Sequence, residues 1–161
     1  MNKALFLDRD GTINIDKHYV YKKEDFILVE GICDAIKCYI EKGFIAIVLT
    51  NQSGVARGLF TEQDVIALHK FADSLLLEKG IKISRWYYCP HHPIYGLGKY
   101  KVDCNCRKPK TGMIEQAIKD FDIDITQSLL VGDKLEDIEC GKKMNIKSIF
   151  VDDFLRSNDN I

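Results

Sequence analysis

Lys3-Ala4-Leu5-Phe6-Leu7-Asp8-Arg9-Asp10-Gly11-Thr12 is the stretch from which the rest of the chain is read. An apolar run without alternation suits a strand buried on both faces, as in a parallel sheet covered by helices. At its carboxyl end two carboxylates stand two residues apart, on one side of an extended chain, and Gly11 permits a sharp turn. Ligands of open α/β sheets sit just beyond the carboxyl ends of the strands. Two like charges crowded there need a positive partner, and Mg²⁺ is the oxygen-seeking candidate. Taken alone, Asp-x-Asp fits a solvated acidic turn equally well, so the remaining residues decide.

The 161 residues suffice for one domain with a proper core, and 1–161 is read as a single unit. Hydrophobic residues make up 46% and charged residues 29%, ordinary for a soluble globular protein. A formal net charge of −1 provides no whole-molecule field to gather nucleic acid or an acidic membrane. No stretch has the pattern of a secretory signal, and none approaches the ~18 apolar residues of a spanning helix. The expectation is a cytoplasmic protein, whose six cysteines are thiols or metal ligands rather than a disulfide framework.

Outward from the first turn, 13–29 has no sustained period and reads as a loop. Gly31 precedes a helix with Ile32, Ala35, Ile36, Tyr39 and Ile40 on one stripe, ending before Gly43. Phe44 to Leu49 is a second unbroken apolar strand, closed by the polar turn Thr50-Asn51-Gln52-Ser53-Gly54. Thr61, with Asp64 three residues on, opens a helix to about Lys79. Ser84 to Tyr88 is a third strand, its Trp86 and tyrosines packing against neighbours. A loop follows to Arg107. Thr111 is expected to cap the next helix; Ser128 to Val131 is a strand ending at Gly132-Asp133. Leu135 to Met144 is a helix and Lys147 to Val151 a last strand. Strands alternating with helices predict an α/β fold with a doubly wound parallel sheet. Cys33, Cys38 and Cys140 read as helix residues, and His69 as a surface or packed residue rather than a ligand.

Asp8 and Asp10, Thr50 to Ser53, Arg107 with Lys108, and Asp133 with Lys134 therefore fall at strand ends along one sheet edge. That set can hold Mg²⁺ and neutralise a phosphoryl group, leaving one carboxylate free to attack phosphorus. Neither a G-x-x-x-x-G-K cradle nor a G-x-G-x-x-G turn is present, which excludes those nucleotide-binding routes. Cys89-Pro90-His91 and Cys104-Asn105-Cys106 bracket one loop, and three sulfurs with one imidazole suit a closed, structural tetrahedral zinc site. Reduced cysteines in a mobile loop, or a reactive thiol at Cys89 beside His91, would be the alternatives there. His92, second of its pair, is the less suited ligand.

Asp8-Arg9-Asp10-Gly11-Thr12, Thr50, Lys108 and Gly132-Asp133 together resemble the four motifs of the haloacid dehalogenase-type phosphatases, in order and each after a strand. The resemblance implies a Rossmann-like fold without a large cap domain, and a monomer. It implies that Asp8 is the nucleophile forming an aspartyl-phosphate and that Asp10 is the general acid and base. Thr50 and Lys108 would hold phosphoryl oxygens, while Asp8, the main-chain carbonyl of Asp10 and Asp133 would ligate Mg²⁺.

Ser53-Gly54-Val55-Ala56-Arg57-Gly58 and the loop at 89–107 are similar to the heptose-1,7-bisphosphate 7-phosphatases within that superfamily. Histidinol-phosphate phosphatases share the nucleophile turn and the cysteine loop and are the alternative. The implied substrate is a small sugar phosphate serving surface-glycan precursor synthesis, with no nucleic acid or membrane partner. By that resemblance Asp16, Lys17, His18, Tyr19, Asn51, Gln52, Ser53, Arg107 and Lys134 contact substrate. Arg107 and Lys134 add the positive charge that a second phosphate needs. Lys17-His18-Tyr19 departs from the commoner His-Gly before Tyr. Residues 152–161 are expected as a short tail, without the later strand and helix of longer relatives. The rival from another class is a zinc-stabilised binding module without turnover. A nucleic-acid end phosphatase is disfavoured because no basic run or base-stacking cluster is present.

Overall fold

β1 (Lys3–Leu7) lies at the centre of a parallel sheet of order β3-β2-β1-β4-β5 in the computed structural model, which describes residues 1–159. The other strands are β2 (Phe44–Asn51), β3 (Ile83–Cys89), β4 (Leu129–Gly132) and β5 (Lys147–Phe150). Alternation along β1 divides the core in two. Leu5 and Leu7 face α1 (Ile32–Glu41), α2 (Glu62–Glu78) and α5 (Val151–Asp159), while Ala4 and Phe6 face α3 (Gly112–Phe121) and α4 (Leu135–Lys143). Both faces are covered, which is why the strand reads as a continuous apolar run. Among the described residues no cap domain is inserted, and no helix is long and apolar enough to cross a membrane.

The chain winds from β1 through β2 to β3, then returns to the far side of β1 for β4 and β5. The reversal falls between β1 and β4, so the turns after those strands open onto the crevice where such sheets bind ligands. Thr61 caps α2 reciprocally with Asp64, through N–H to side-chain oxygen contacts of 3.1 and 2.9 Å. Thr111 stands at the N-terminus of α3 but makes no capping bond; its hydroxyl donates to Glu115 instead, at 3.4 Å.

The expected tail after Val151 is corrected: Val151–Asp159 is a helix, and Asn160 and Ile161 lie outside the described residues. Phe154 is fully buried against Tyr39 of α1, ring centroids 5.3 Å apart, a burial contributing about 1.5–3 kcal/mol. Val151, Phe154 and Leu155 have helical spacing, and Asp152 and Asp153 suit a helix N-terminus. The pattern was masked because it follows β5 with no intervening turn.

Candidate active site

Asp8 continues β1 by one residue, its N–H donating to the Val131 carbonyl at 3.0 Å. Beside it, Lys108 is 3% exposed. Its ammonium donates to Asp8 Oδ1 (2.9 Å), Asp137 Oδ1 (2.6 Å) and the Leu49 carbonyl (2.7 Å), matching its three protons to three acceptors. Burial pulls the Lys108 pKa down, but Asp8 and Asp137 outweigh it and hold the amine charged. For Asp8 the balance runs the other way. Burial and the Asp137 charge push its carboxyl well above the usual range despite Lys108.

The carboxylates of Asp8, Asp133 and Asp137 lie within 4.8 Å of one another, and Asp133 Oδ1 is buried without a partner. One ammonium cannot balance three carboxylates, and an unpartnered oxygen in a set of hard donors fits Mg²⁺. Gly11 makes this approach possible. Its φ is +84°, and a Cβ there would lie 2.0 Å from Asp133 Oδ2.

Asp10 turns away from that cluster. Its carboxylate accepts from Arg9 Nη2 (3.0 and 3.1 Å) and Nε (3.2 Å), Asn14 Nδ2 (3.0 Å) and Gln52 Nε2 (3.0 Å). Gln52 Nε2 also donates to Thr50 Oγ1 at 2.9 Å, tying Asp10 to the turn after β2. Behind Arg9, its Nη1 is 3.3 Å from Nε2 of His69, which is packed as expected. Burial and the adjacent Arg9 push His69 down to about 3. The unfolded chain takes up a proton here below about 6.5 and the native one does not, so stability should fall as pH falls through that window. The slope is up to ~1.4 kcal/mol per pH unit and should flatten in His69→Phe, as denaturant titrations between pH 7 and 4 would measure.

Above these groups opens a polar cleft of about 260 Å³, lined by Asp16, His18, Tyr19, Gln52, Ser53, Arg107 and Lys134 of the expected substrate contacts. Lys17 is exposed and stands outside that lining, where the chain turns at His18 and Tyr19, whose φ values are +60° and +57°. Asn51 also reaches the lining, but its amide is committed to the main chain of Lys108. Oδ1 accepts the N–H at 2.9 Å and Nδ2 donates to the carbonyl at 3.1 Å.

Residues beyond the expected set complete the site. Arg57 lines the cleft with its guanidinium 4.6 Å from the Tyr95 ring, and Arg57 Nε and Arg107 Nη1 are buried without partners. Glu136 also lines the cleft. Asp137, besides gripping Lys108, accepts the Lys134 N–H at 3.1 Å as the third residue of α4. An acidic residue in the first turn of a helix is a legible helix-start signal, and Asp137 is one. Arg9, wholly buried, left none, since a charged residue between two aspartates reads as solvated.

Cys89 ends β3, and its Sγ lies 3.5 Å from Cys104 Sγ, 2.9 Å from Cys106 Sγ and 3.7 Å from His91 Nδ1. The cysteines are free, and a tetrahedron with Zn–S of about 2.3 Å has edges near ~3.8 Å, so four donors this close can share one ion. Contact with Cys89 draws the Cys106 thiol below its ordinary range. His92 is not a member; its Nδ1 accepts from the N–H groups of Ile94 (3.1 Å) and Tyr95 (3.0 Å). Tyr88 and Tyr100 both donate to Glu62, at 2.8 and 2.7 Å, pinning the loop to α2. Arg107 and Lys108 follow Cys106 directly, so the cluster anchors the segment that delivers both cations.

A HAD-hydrolase-like family profile matches residues 105–153. The chain is 48% identical over 147 residues to D-glycero-beta-D-manno-heptose-1,7-bisphosphate 7-phosphatase of Haemophilus influenzae, covering 91% of this chain and 79% of that protein. It is 43% identical to D-glycero-alpha-D-manno-heptose-1,7-bisphosphate 7-phosphatase of Burkholderia mallei, over 90% of this chain and 77% of that one. Among solved structures, it is similar to D,D-heptose 1,7-bisphosphate phosphatase of B. bronchiseptica complexed with magnesium and phosphate. The TM-score is 0.81 at 31% identity, over 91% of this chain and 78% of that chain.

Proposed function

The chain belongs to the haloacid dehalogenase-like hydrolases, among the heptose-1,7-bisphosphate 7-phosphatases, and from that membership we propose that it removes the 7-phosphate of D-glycero-D-manno-heptose 1,7-bisphosphate. The observation that carries this reading is the buried Lys108–Asp8 contact of 2.9 Å beneath a cleft lined by Arg57, Arg107 and Lys134. An oxygen of Asp8 attacks phosphorus and the bond to the sugar oxygen breaks. Asp10 gives its proton to that oxygen, then takes one from the water that hydrolyses the aspartyl-phosphate. Thr50 and Lys108 hold phosphoryl oxygens. Asp8, Asp133 and the main-chain carbonyl of Asp10 would hold Mg²⁺, which when bound offsets the repulsion between carboxylate and phosphate. We read 1–161 as one cytoplasmic domain, monomeric and without nucleic-acid or membrane partners.

Phosphate release with Mg²⁺ is expected to be much faster from the heptose bisphosphate than from histidinol phosphate. The reverse preference would replace the sugar with histidinol phosphate, and no release even from an aryl phosphate would leave a binding module. Arg107→Ala is expected to raise KM for the bisphosphate by about 10- to 100-fold, the value of a lost charge-assisted contact, and far less for a monophosphate.

Cys89, His91, Cys104 and Cys106 would hold a structural Zn²⁺ that keeps Arg107 and Lys108 in place. Metal analysis is expected to find about one zinc per chain, lost in Cys104→Ser or Cys106→Ser with a fall in Tm of ~10 °C. Zinc-free protein of unchanged Tm would overturn that assignment.

A further inference from the structure

We propose that His69, on α2 and outside the cleft, is a positioning residue that sets the orientation of the Asp10 carboxylate through Arg9. The argument begins with the donors of Arg9, a side chain fully withdrawn from water. Nη2 donates to both Asp10 oxygens and to the Val20 carbonyl at 2.7 Å, Nε donates to Asp10 Oδ1 at 3.2 Å, and Nη1 is left to meet His69 Nε2 at 3.3 Å. A guanidinium only donates, so Nε2 must accept and the ring proton sits on Nδ1. Neutrality of the ring, favoured by burial and by Arg9 itself, is what keeps that lone pair available.

His69 is held in turn. Its ring stacks on Trp86 with centroids 4.5 Å apart and planes 21° from parallel, and Trp86 Nε1 donates at 2.6 Å to Asp73. Packed α2 and β3 thus fix an acceptor, the acceptor fixes the planar guanidinium, and the guanidinium aims Asp10. Without the acceptor, a buried N–H is left unpaired and the guanidinium that grips Asp10 loses one of its anchors, leaving the Val20 carbonyl. Proton delivery to a leaving oxygen is sensitive to such misplacement.

The proposal rests on the reading of Asp10 as general acid, so the test compares leaving groups that need a proton with one that does not. First-turnover release of the leaving group is followed for the sugar bisphosphate and for p-nitrophenyl phosphate, whose phenolate departs unaided. His69→Leu is expected to slow the sugar about tenfold with little change in KM, and p-nitrophenolate by less than about twofold. His69→Gln, whose amide oxygen can accept from Arg9, is expected to restore the sugar rate. Should His69→Leu not fold, His69→Asn, too short to reach Arg9, carries the same expectation. Equal slowing of both substrates, or of neither, overturns the role of His69 when Asp10→Asn still shows the leaving-group difference. If Asp10→Asn itself slows both equally, the general-acid reading fails and the proposal with it.

Discussion

Asp8→Asn is expected to lower phosphate release by about 10⁴-fold or more while leaving the chain folded. The amide has the shape of the carboxylate and keeps an oxygen for Lys108, so the contact at 2.9 Å survives as a neutral acceptor. It cannot provide an anionic oxygen to phosphorus. Stability should hold or rise, because Asp8, Asp133 and Asp137 crowd one spot and removing a charge relieves their repulsion. Turnover and thermal melts on the same preparation check both halves, and chemical trapping should label Asp8 in the wild type. Turnover within about tenfold of wild type in this variant would end the nucleophile assignment.

Lys108→Met is expected to fail in two ways at once. Activity falls because neither the nucleophile nor the phosphoryl oxygens keep their positive partner. Stability falls by about 3–5 kcal/mol, because a buried ion pair broken from one side leaves its partners uncompensated. Asp8, Asp137 and the Leu49 carbonyl all lose their donor. With Lys108 gone, nothing opposes the burial and the Asp137 charge that already push the Asp8 carboxyl up. A raised carboxyl binds its proton more tightly in the native state, so the variant should gain stability relative to the wild type as pH falls. Denaturant unfolding at pH 7 and 5 measures this. Pairing the change with Asp137→Asn should recover much of the stability and none of the activity, separating the structural from the catalytic part of Lys108.

Element order and sheet class were legible because they depend on near neighbours. Apolar runs mark β1 and β2, reciprocal capping marks Thr61 and Asp64, and polar turn residues mark the ends of β1, β2 and β4. The cysteine and histidine quartet was legible for the same reason, since each ligand pair is separated by one residue. α5 escaped because its stripe begins on the last residue expected for β5, so no turn announced a change of period.

The amino-acid sequence by itself determined which groups stand at the strand ends and hence what chemistry they can perform. Their connections were decided only in three dimensions. Lys108 meets Asp8 across 100 positions, Arg9 meets His69 across 60, and Asn51 meets the main chain of Lys108 across 57. Periodicity and capping report energies that act within a turn or two of chain. Burial and charge pairing act through space, once the sheet order has placed β1 between β2 and β4. That is why a residue such as Arg9, charged and set between two aspartates, can be a wholly buried support of Asp10.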